Sequence, residues 1–77
     1  MRSVHSARYK EFLKRLRAAR VAAGLTQTEA ARAVGHPQSF ISKCESGERR
    51  LDVIELEELA RVYHKPLRWF LPNEGGR

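Results

Sequence analysis

The sequence predicts an all-α fold of five short helices within a single domain. Apolar residues recur at steps of three and four along most of the chain, which is the period of a helix that buries one face. Glycines and prolines interrupt this pattern, and no segment alternates as a half-buried strand does. A chain of 77 residues forms one domain with a single small core. We expect that domain to cover residues 7–71, between flexible segments at residues 1–6 and 72–77.

The first helix is predicted from about Ser6 to Ala23, followed by Gly24 as a left-handed cap. Its inward face carries the apolar residues Tyr9, Phe12, Leu13, Leu16, Ala19 and Ala23. Its outward face carries the basic residues Arg8, Lys10, Lys14, Arg15 and Arg17. A basic amphipathic helix can lie on a membrane surface, but this polar face is no richer in charge than solvation requires.

The second helix begins with a capping box. Thr26 can bond forward to the amide of Glu29, and the carboxylate of Glu29 can bond back. The helix is short and ends at Gly35. Its inward residues are Ala30, Ala31 and Val34.

The third helix follows a break at Gly35 to Pro37 and carries a polar face. On a helical wheel its inward or bordering residues are Ile41, Cys44 and Glu45. Its opposite face is a stripe of small hydroxyls and one cation: Ser39, Ser42, Lys43 and Ser46. Such side chains can donate to phosphates and base edges, whereas a solvated face more often mixes Glu and Lys. The stripe therefore indicates either nucleic-acid contact or an ordinary solvated face.

The fourth helix starts at a second capping box, formed by Asp52 and Glu55. It should run to about Tyr63. Its predicted buried residues are Val53 or Ile54, then Leu56, Leu59, Ala60 and Tyr63. Pro66 suits the first turn of a fifth helix with the sequence LRWF.

Charge is unevenly distributed along the chain. Fifteen Lys and Arg against nine Asp and Glu give a net charge of +6. Residues 1–50 hold eleven basic and four acidic residues, whereas residues 51–77 hold four basic and five acidic ones. One part of the fold should therefore face a polyanion, although the same excess could serve only solubility.

Several classes of protein are disfavoured by the sequence. No apolar run approaches the roughly 18 residues of a membrane span, and the segment after Met1 is too charged for a secretory signal. We expect a cytoplasmic protein without membrane association. The spacing of His5, His36, His64 and Cys44 matches no zinc site. No nucleophile, base and orienting group occur together, so we expect no metal, no cofactor and no enzymatic activity.

A capped short helix, a break containing glycine and a second helix with a polar outer face form the helix-turn-helix arrangement. The segment GLTQTEAARAVGHPQSFISKCESGERRLDVIELEELARVYHKPLRWFL resembles the Cro and lambda-repressor type of helix-turn-helix, also called the xenobiotic-response-element (XRE) type. The resemblance covers about Phe12 to Leu71. It implies a compact five-helix, lambda-repressor-like DNA-binding domain, with helices 2 and 3 forming the motif and helix 3 in the major groove.

The resemblance also implies base contacts by the third helix. Gln38, Ser39 and Lys43 hold the family's base-reading positions. Gln38 can bond adenine in bidentate fashion, and Lys43 can donate to guanine acceptors. Phe40 would touch either a thymine methyl or the core, and Ser42 would face either a base or water.

Phosphate contacts and a structural ion pair follow from the same resemblance. The implied phosphate-binding residues are Gln27, Ser46, Arg49 and Arg50, of which the last three lie in a loop that would otherwise be solvated. Arg20 is implied to pair with Glu45 as a strut for the third helix, and a phosphate contact is the second role considered for it. His36 would contact a phosphate or remain a solvated loop residue. Pro37 replaces the small hydroxyl residue usual at the cap of the third helix.

One such domain reads too little sequence alone, so we expect a homodimer on a near-palindromic operator. Leu67 or Phe70, with the outer face of the fourth helix, is the predicted interface, and the family resemblance implies that Trp69 and Leu71 point inward. The alternative is that all four pack internally.

The predicted function is a double-stranded DNA-binding transcriptional regulator, either a repressor or a repressor and activator, associated with the nucleoid when bound. Small members of this family include phage repressors, controller proteins of restriction systems and regulators of mobile elements. The alternative is an antitoxin-like module that binds a toxin and autoregulates its operon, and a partner such as an antiactivator is equally compatible with the sequence. RNA binding is a third alternative, weakened by the lack of exposed aromatic residues for base stacking.

Overall fold

The computed structural model describes residues 6–72, which contain four α-helices followed by one 3₁₀ turn and no strand. The elements are α1 (Ala7–Ala22), α2 (Gln27–Val34), α3 (Gln38–Ser46), α4 (Val53–Tyr63) and the 3₁₀ turn (Leu67–Phe70). The all-helical prediction is therefore confirmed. The count of five α-helices is wrong, because the segment LRWF is too short for an α-helix and forms a single tighter turn. No helix in the described range is long and apolar enough to cross a membrane.

The ends predicted to be flexible are only partly described. Ser6 caps α1 by accepting a hydrogen bond from the Tyr9 amide at 3.1 Å. The carbonyl oxygen of Pro72 accepts a hydrogen bond from Arg8 at 3.3 Å. The remainder of these two segments, residues 1–5 and 73–77, lies outside the described residues.

Both predicted capping boxes are present. The Thr26 hydroxyl accepts from the Glu29 amide at 3.0 Å, and the Glu29 carboxylate accepts from the Thr26 amide at 2.9 Å. The Asp52 carboxylate accepts from the Glu55 amide at 2.7 Å, and the Glu55 carboxylate accepts from the Asp52 amide at 3.1 Å. Each box satisfies amides that have no partner within the first turn, and the two boxes fix where α2 and α4 begin.

Side chains from all four α-helices and from the 3₁₀ turn build one core. Its buried apolar residues are Phe12, Leu16, Ala19, Ala30, Ala31, Phe40, Ile41, Cys44, Leu56, Leu59, Ala60, Tyr63 and Phe70. Burying a single Leu or Phe of this set contributes roughly 1.5–3 kcal/mol. The alanines are as important for shape, because their small side chains allow the short helices to approach one another closely.

The chain after α4 differs from the prediction. Phe70 is fully buried, whereas Leu71 is exposed and Trp69 is only partly buried. The backbone becomes extended at Leu71, where alternate side chains point to opposite sides, so Phe70 enters the core and Leu71 leaves it. Arg15 fixes this segment by donating to the carbonyl oxygens of Trp69 and Leu71 at 3.1 and 2.9 Å. Phe70 is therefore not an interface residue, and the inward placement of Leu71 is wrong.

The first turn of α4 also differs. Val53 and Ile54 are 64% and 60% exposed, so the expectation that one of them is buried is wrong. Leu56, Leu59 and Tyr63 define the inward face of α4, together with Ala60. Ile54 is two residues before Leu56, which rotates it about 200° to the opposite face.

Candidate nucleic-acid interface

The turn between α2 and α3 sets the direction in which α3 leaves the core. Gly35 ends α2 with φ of 75°, a left-handed conformation that side chains disfavour. The amide of His36 closes the turn by donating to the Ala31 carbonyl at 2.9 Å. Pro37 occupies the cap position in an extended conformation without a side-chain hydrogen bond, and α3 begins at Gln38. Gln38 is thus the first helical residue, where a base-reading side chain of a recognition helix is found.

The two faces of α3 differ sharply in burial. Phe40, Ile41 and Cys44 are buried, and burial raises the pKa of the Cys44 thiol. The opposite face is exposed except for the half-buried Ser42, and it contains Gln38, Ser39, Ser42, Lys43 and Ser46. Apart from the half-buried Ser42 and a hydrogen bond from Gln38 to Gln27, this polar face is open to solvent, so its side chains are available to an external partner.

Phe40 belongs to the core, with 6% of its surface exposed, so of its two predicted roles the core role is confirmed and the thymine-methyl contact is wrong. Its ring is covered by its neighbours. The His36 ring stacks on it at a centroid distance of 3.9 Å and an interplanar angle of 15°. The Arg49 guanidinium lies over it at 4.8 Å. These two side chains seal Phe40 from solvent at the edge of the turn.

A buried ion pair braces α3 against α1, as predicted. Arg20 Nε donates to Glu45 Oε2 at 2.6 Å, and Arg20 Nη2 donates to Glu45 Oε1 at 3.2 Å. The third guanidinium nitrogen donates to the Leu25 carbonyl at 2.8 Å. The two side chains are only 9% and 7% exposed, and the hydrogen bond to Glu45 raises the pKa of Arg20. This burial does not support the phosphate contact that was also considered for Arg20.

The same carboxylate orients two glutamines. Gln27 Nε2 donates to Glu45 Oε1 at 3.1 Å, and Gln38 Nε2 donates to Gln27 Oε1 at 3.4 Å. A carboxylate only accepts hydrogen bonds, so Gln27 must turn its nitrogen toward Glu45 and its oxygen toward Gln38. Gln38 consequently keeps its own oxygen and its second N–H for an external partner. That pair of groups matches the donor and acceptor of an adenine edge.

The hydroxyls of Ser42 and Ser46 make hydrogen bonds to the nearby backbone. Ser42 Oγ donates to the Ser39 carbonyl at 3.3 Å. Ser46 Oγ donates to the Lys43 carbonyl at 3.1 Å and accepts from the Glu48 amide at 3.3 Å. These bonds close the end of α3, so a phosphate bound by Ser46 would compete with them.

The loop after α3 is held by Arg49 and Arg50. Arg49 forms two parallel hydrogen bonds to the Glu55 carboxylate, both 2.8 Å long, and a third to the Arg50 carbonyl at 3.1 Å. These bonds raise the pKa of Arg49 and lower the pKa of Glu55 to about 2. Arg50 lies over the Tyr9 ring of α1 at 4.4 Å. Glu55 was predicted only as a capping residue, and nothing in the sequence indicated that it also binds Arg49.

A polar depression between α1 and α3 contains one basic residue that was not assigned to the site. The depression is lined by Arg17, Arg20, Gln27, Ser42, Glu45 and Ser46. Arg17 was counted only as part of the outer face of the first helix. The sequence could have indicated that Arg17 belongs to the site, because it lies three residues before Arg20 and residues three apart on a helix are neighbours.

Two further observations concern a buried hydroxyl group and metal binding. The Tyr63 hydroxyl is buried without a hydrogen-bond partner, and burial raises the pKa of Tyr63. Within residues 6–72, no group of three His, Cys, Asp or Glu side chains could hold a metal ion. His5 lies outside that range.

Comparison with known proteins identifies the family. A helix-turn-helix family model matches residues 16–70, which include α2, the turn and α3. A solved XRE-family like protein from Pseudomonas syringae pv. tomato str. DC3000 is 48% identical, with a TM-score of 0.79 over 87% of this chain and 82% of that chain. The chain belongs to the XRE-type helix-turn-helix family. No curated protein gives a significant match. Membership of the XRE-type family makes the chain a DNA-binding helix-turn-helix regulator and confirms the resemblance drawn from its motifs.

Proposed function

We propose that this XRE-type protein is a sequence-specific transcriptional regulator that binds double-stranded DNA as a homodimer on a near-palindromic operator. The division of α3 into a buried and an exposed face carries the proposal. Phe40, Ile41 and Cys44 hold the helix to the core, while Gln38 and Lys43 extend from the other side. A polar face of this kind on a braced helix is suited to a groove that offers hydrogen-bonding partners.

The base-reading groups have distinct chemistry. Gln38 presents one oxygen and one N–H, which suits adenine, because its remaining N–H is engaged by Gln27. Lys43 carries donors alone, which suits the two acceptors of guanine. Ser39 is small and exposed, so it permits close approach and can bond either base, and the half-buried Ser42 faces either a base or water.

Phosphates on both sides of the groove are bound by groups near the ends of α3. Gln27, at the start of α2, combines its side chain with the positive end of that helix. Arg49, Arg50 and Ser46 bind the backbone on the other side, and His36 lies at the turn beside α3. These contacts fix the position of the domain but carry no sequence information.

The homodimer is formed through Leu67 and the outer face of α4. Leu67 is 37% exposed, and Ile54 supplies a second exposed apolar side chain on that face. Two-fold symmetry places the half-sites about one helical turn apart, roughly 34–36 Å. In the cytoplasm such a dimer represses by occluding a promoter or activates from a neighbouring site.

Selection of bound duplexes from a random pool tests the proposal. The expected outcome is an enriched near-palindrome. Lys43→Ala should then cost about 1–3 kcal/mol at particular base pairs, whereas Arg32→Ala, which removes an exposed charge from α2, should not change base preference. A failure to enrich any sequence would refute specific DNA recognition and would favour the antitoxin-like alternative. Unchanged preference in Lys43→Ala would refute the placement of α3 in the groove.

A further inference from the structure

We propose that α1 carries a second phosphate-binding surface, which contacts the DNA backbone outside the operator half-site. This basic stripe consists of Lys10, Lys14 and Arg17. The inference rests on the proposed DNA binding and extends it from the half-site to the flanking duplex.

The three cations form one continuous exposed line. They are separated by four and three residues, which places them within about 60° of one another around the helix. All three side chains are exposed. With a rise of about 1.5 Å per residue, the line from Lys10 to Arg17 is roughly 10 Å long.

The stripe is scarcely neutralised within the protein. In the described part of the chain, the side chains of Lys10 and Arg17 make no hydrogen bond or ion pair. Lys14 has only a 3.9 Å contact with Glu11, between two exposed side chains, and pairs of this kind contribute little. Like charges spaced three or four residues apart repel on a helix, so the arrangement is mildly unfavourable unless a polyanion lies against it.

The stripe begins at the recognition surface and lies on a different side of α1 from the segment around the 3₁₀ turn. Arg17 lines the same depression as Ser42 and Ser46 of α3. Arg15, which is rotated about 100–160° from the stripe residues, binds the carbonyls around the 3₁₀ turn that contains Leu67. Because Leu67 belongs to the proposed interface, the stripe faces the outer ends of the operator.

DNA fits this surface better than a membrane does. A membrane-bound amphipathic helix inserts its apolar face, but Phe12, Leu16 and Ala19 of α1 are buried in the core. Binding to the backbone of a duplex, in contrast, requires only cations on the protein surface. At about 3.4 Å per nucleotide along the helix axis, the stripe covers roughly three nucleotides of one strand.

The test compares two duplexes with three proteins. One duplex contains only the base pairs enriched by selection, and the other adds about six base pairs of fixed sequence at each end, roughly twice the length the stripe covers. The proteins are the wild type, Lys10→Gln/Lys14→Gln, and the control Arg32→Gln/Lys65→Gln, which removes the same charge elsewhere. Arg17 is left intact because it also borders the recognition surface. Lys and Gln have similar helix propensities, and circular dichroism verifies that each variant is folded.

The wild type should bind the extended duplex about five to ten times more tightly than the short one at low salt. Its log–log salt slope should be steeper on the extended duplex by about 3 to 4, for two contacts in each of two protomers. The stripe variant should lose this length dependence and bind the short duplex as the wild type does. The control variant should retain the length dependence.

Equal binding of both duplexes by the wild type would overturn the inference and leave the proposed function intact. Equal losses on both duplexes in the stripe variant would do the same. If the stripe variant instead lost binding to phosphatidylserine vesicles and kept the length dependence on DNA, a membrane role would replace the proposed one. A wild type that bound neither duplex would refute the proposed function itself, and the inference with it.

Discussion

Two arginine–glutamate pairs flank α3, and they differ in burial. Arg20 and Glu45 connect α1 to α3, with 9% and 7% of their side chains exposed. Arg49 and Glu55 connect the loop after α3 to α4, with 42% and 17% exposed. Both pairs have two hydrogen bonds between guanidinium and carboxylate, so their geometry is similar. Because their burial differs, the free energy lost when one partner is removed should also differ.

A charge left alone in the core is costly, whereas a charge left alone at the surface is solvated. The Arg20–Glu45 pair is therefore a fixed part of the fold and also orients Gln27. Under the proposed function, the more exposed Arg49 exchanges the Glu55 carboxylate for a DNA phosphate. Burial thus separates a structural arginine from one that can serve both folding and binding.

Replacing one partner of the buried pair should have the largest effect. Glu45→Gln leaves Arg20 buried beside a neutral amide, and we expect the free energy of unfolding to fall by about 3–5 kcal/mol. For a domain of this size that is a large part of the total stability. Urea denaturation followed by circular dichroism measures the change. A loss below about 1 kcal/mol, the range of surface pairs, would contradict the distinction between the two pairs.

The double variant Arg20→Met/Glu45→Leu is the matched control. Apolar residues of similar volume often replace a buried ion pair without loss of stability, so the variant should recover most of what Glu45→Gln loses. It removes the acceptor that orients Gln27, and base discrimination by Gln38 should weaken although the domain is folded. A double variant as unstable as Glu45→Gln would show that packing around Ile41 and Cys44, rather than the unpaired charge, explains the loss.

Replacing one partner of the exposed pair should have a smaller effect on folding and the opposite effect on binding. Glu55→Gln should lower the free energy of unfolding by about 1 kcal/mol, through a weakened pair and a weakened capping box. Because Arg49 is no longer neutralised, the affinity for every DNA sequence should rise a few-fold. Glu58→Gln, an equal change of charge on an exposed part of α4, is the control. Equal gains in both variants would show that net charge, and not release of Arg49, is responsible.

The sequence correctly predicted the features that depend only on residues close together in the chain. The capping boxes at Thr26 and Asp52 depend on residues three apart, and the end of α2 depends on the backbone of Gly35, so neighbouring residues determine them. The Arg20–Glu45 pair spans two helices and was predicted only because the motif resembled a known family.

The errors concern features that depend on contacts between residues distant in the sequence. A helical wheel shows which way Phe40 points relative to the helix axis, but it does not show that His36 and Arg49 cover its ring. Arg15, more than fifty residues away, holds the carbonyl oxygens of Trp69 and Leu71, so a local pattern could not place Phe70 and Leu71 correctly. The Arg49–Glu55 pair depends in the same way on the path of a loop.

Acid should remove the contribution of the exposed pair without a mutation. The hydrogen bonds from Arg49 lower the pKa of Glu55 from 4.5 to about 2. A carboxyl group whose pKa is lowered by folding contributes stability above its unfolded pKa and loses it as the pH falls through the folded pKa. The difference in unfolding free energy between the wild type and Glu55→Gln should be constant from about pH 5 to 8 and should shrink between about pH 4.5 and 2. Urea denaturation of both proteins across this range isolates Glu55, because the remaining carboxyl groups titrate in both. Solvent screening limits the loss to about 1 kcal/mol. If the difference in unfolding free energy stayed constant down to pH 2, Arg49 would not bind Glu55 in solution. The comparison between a buried and an exposed ion pair would then not hold.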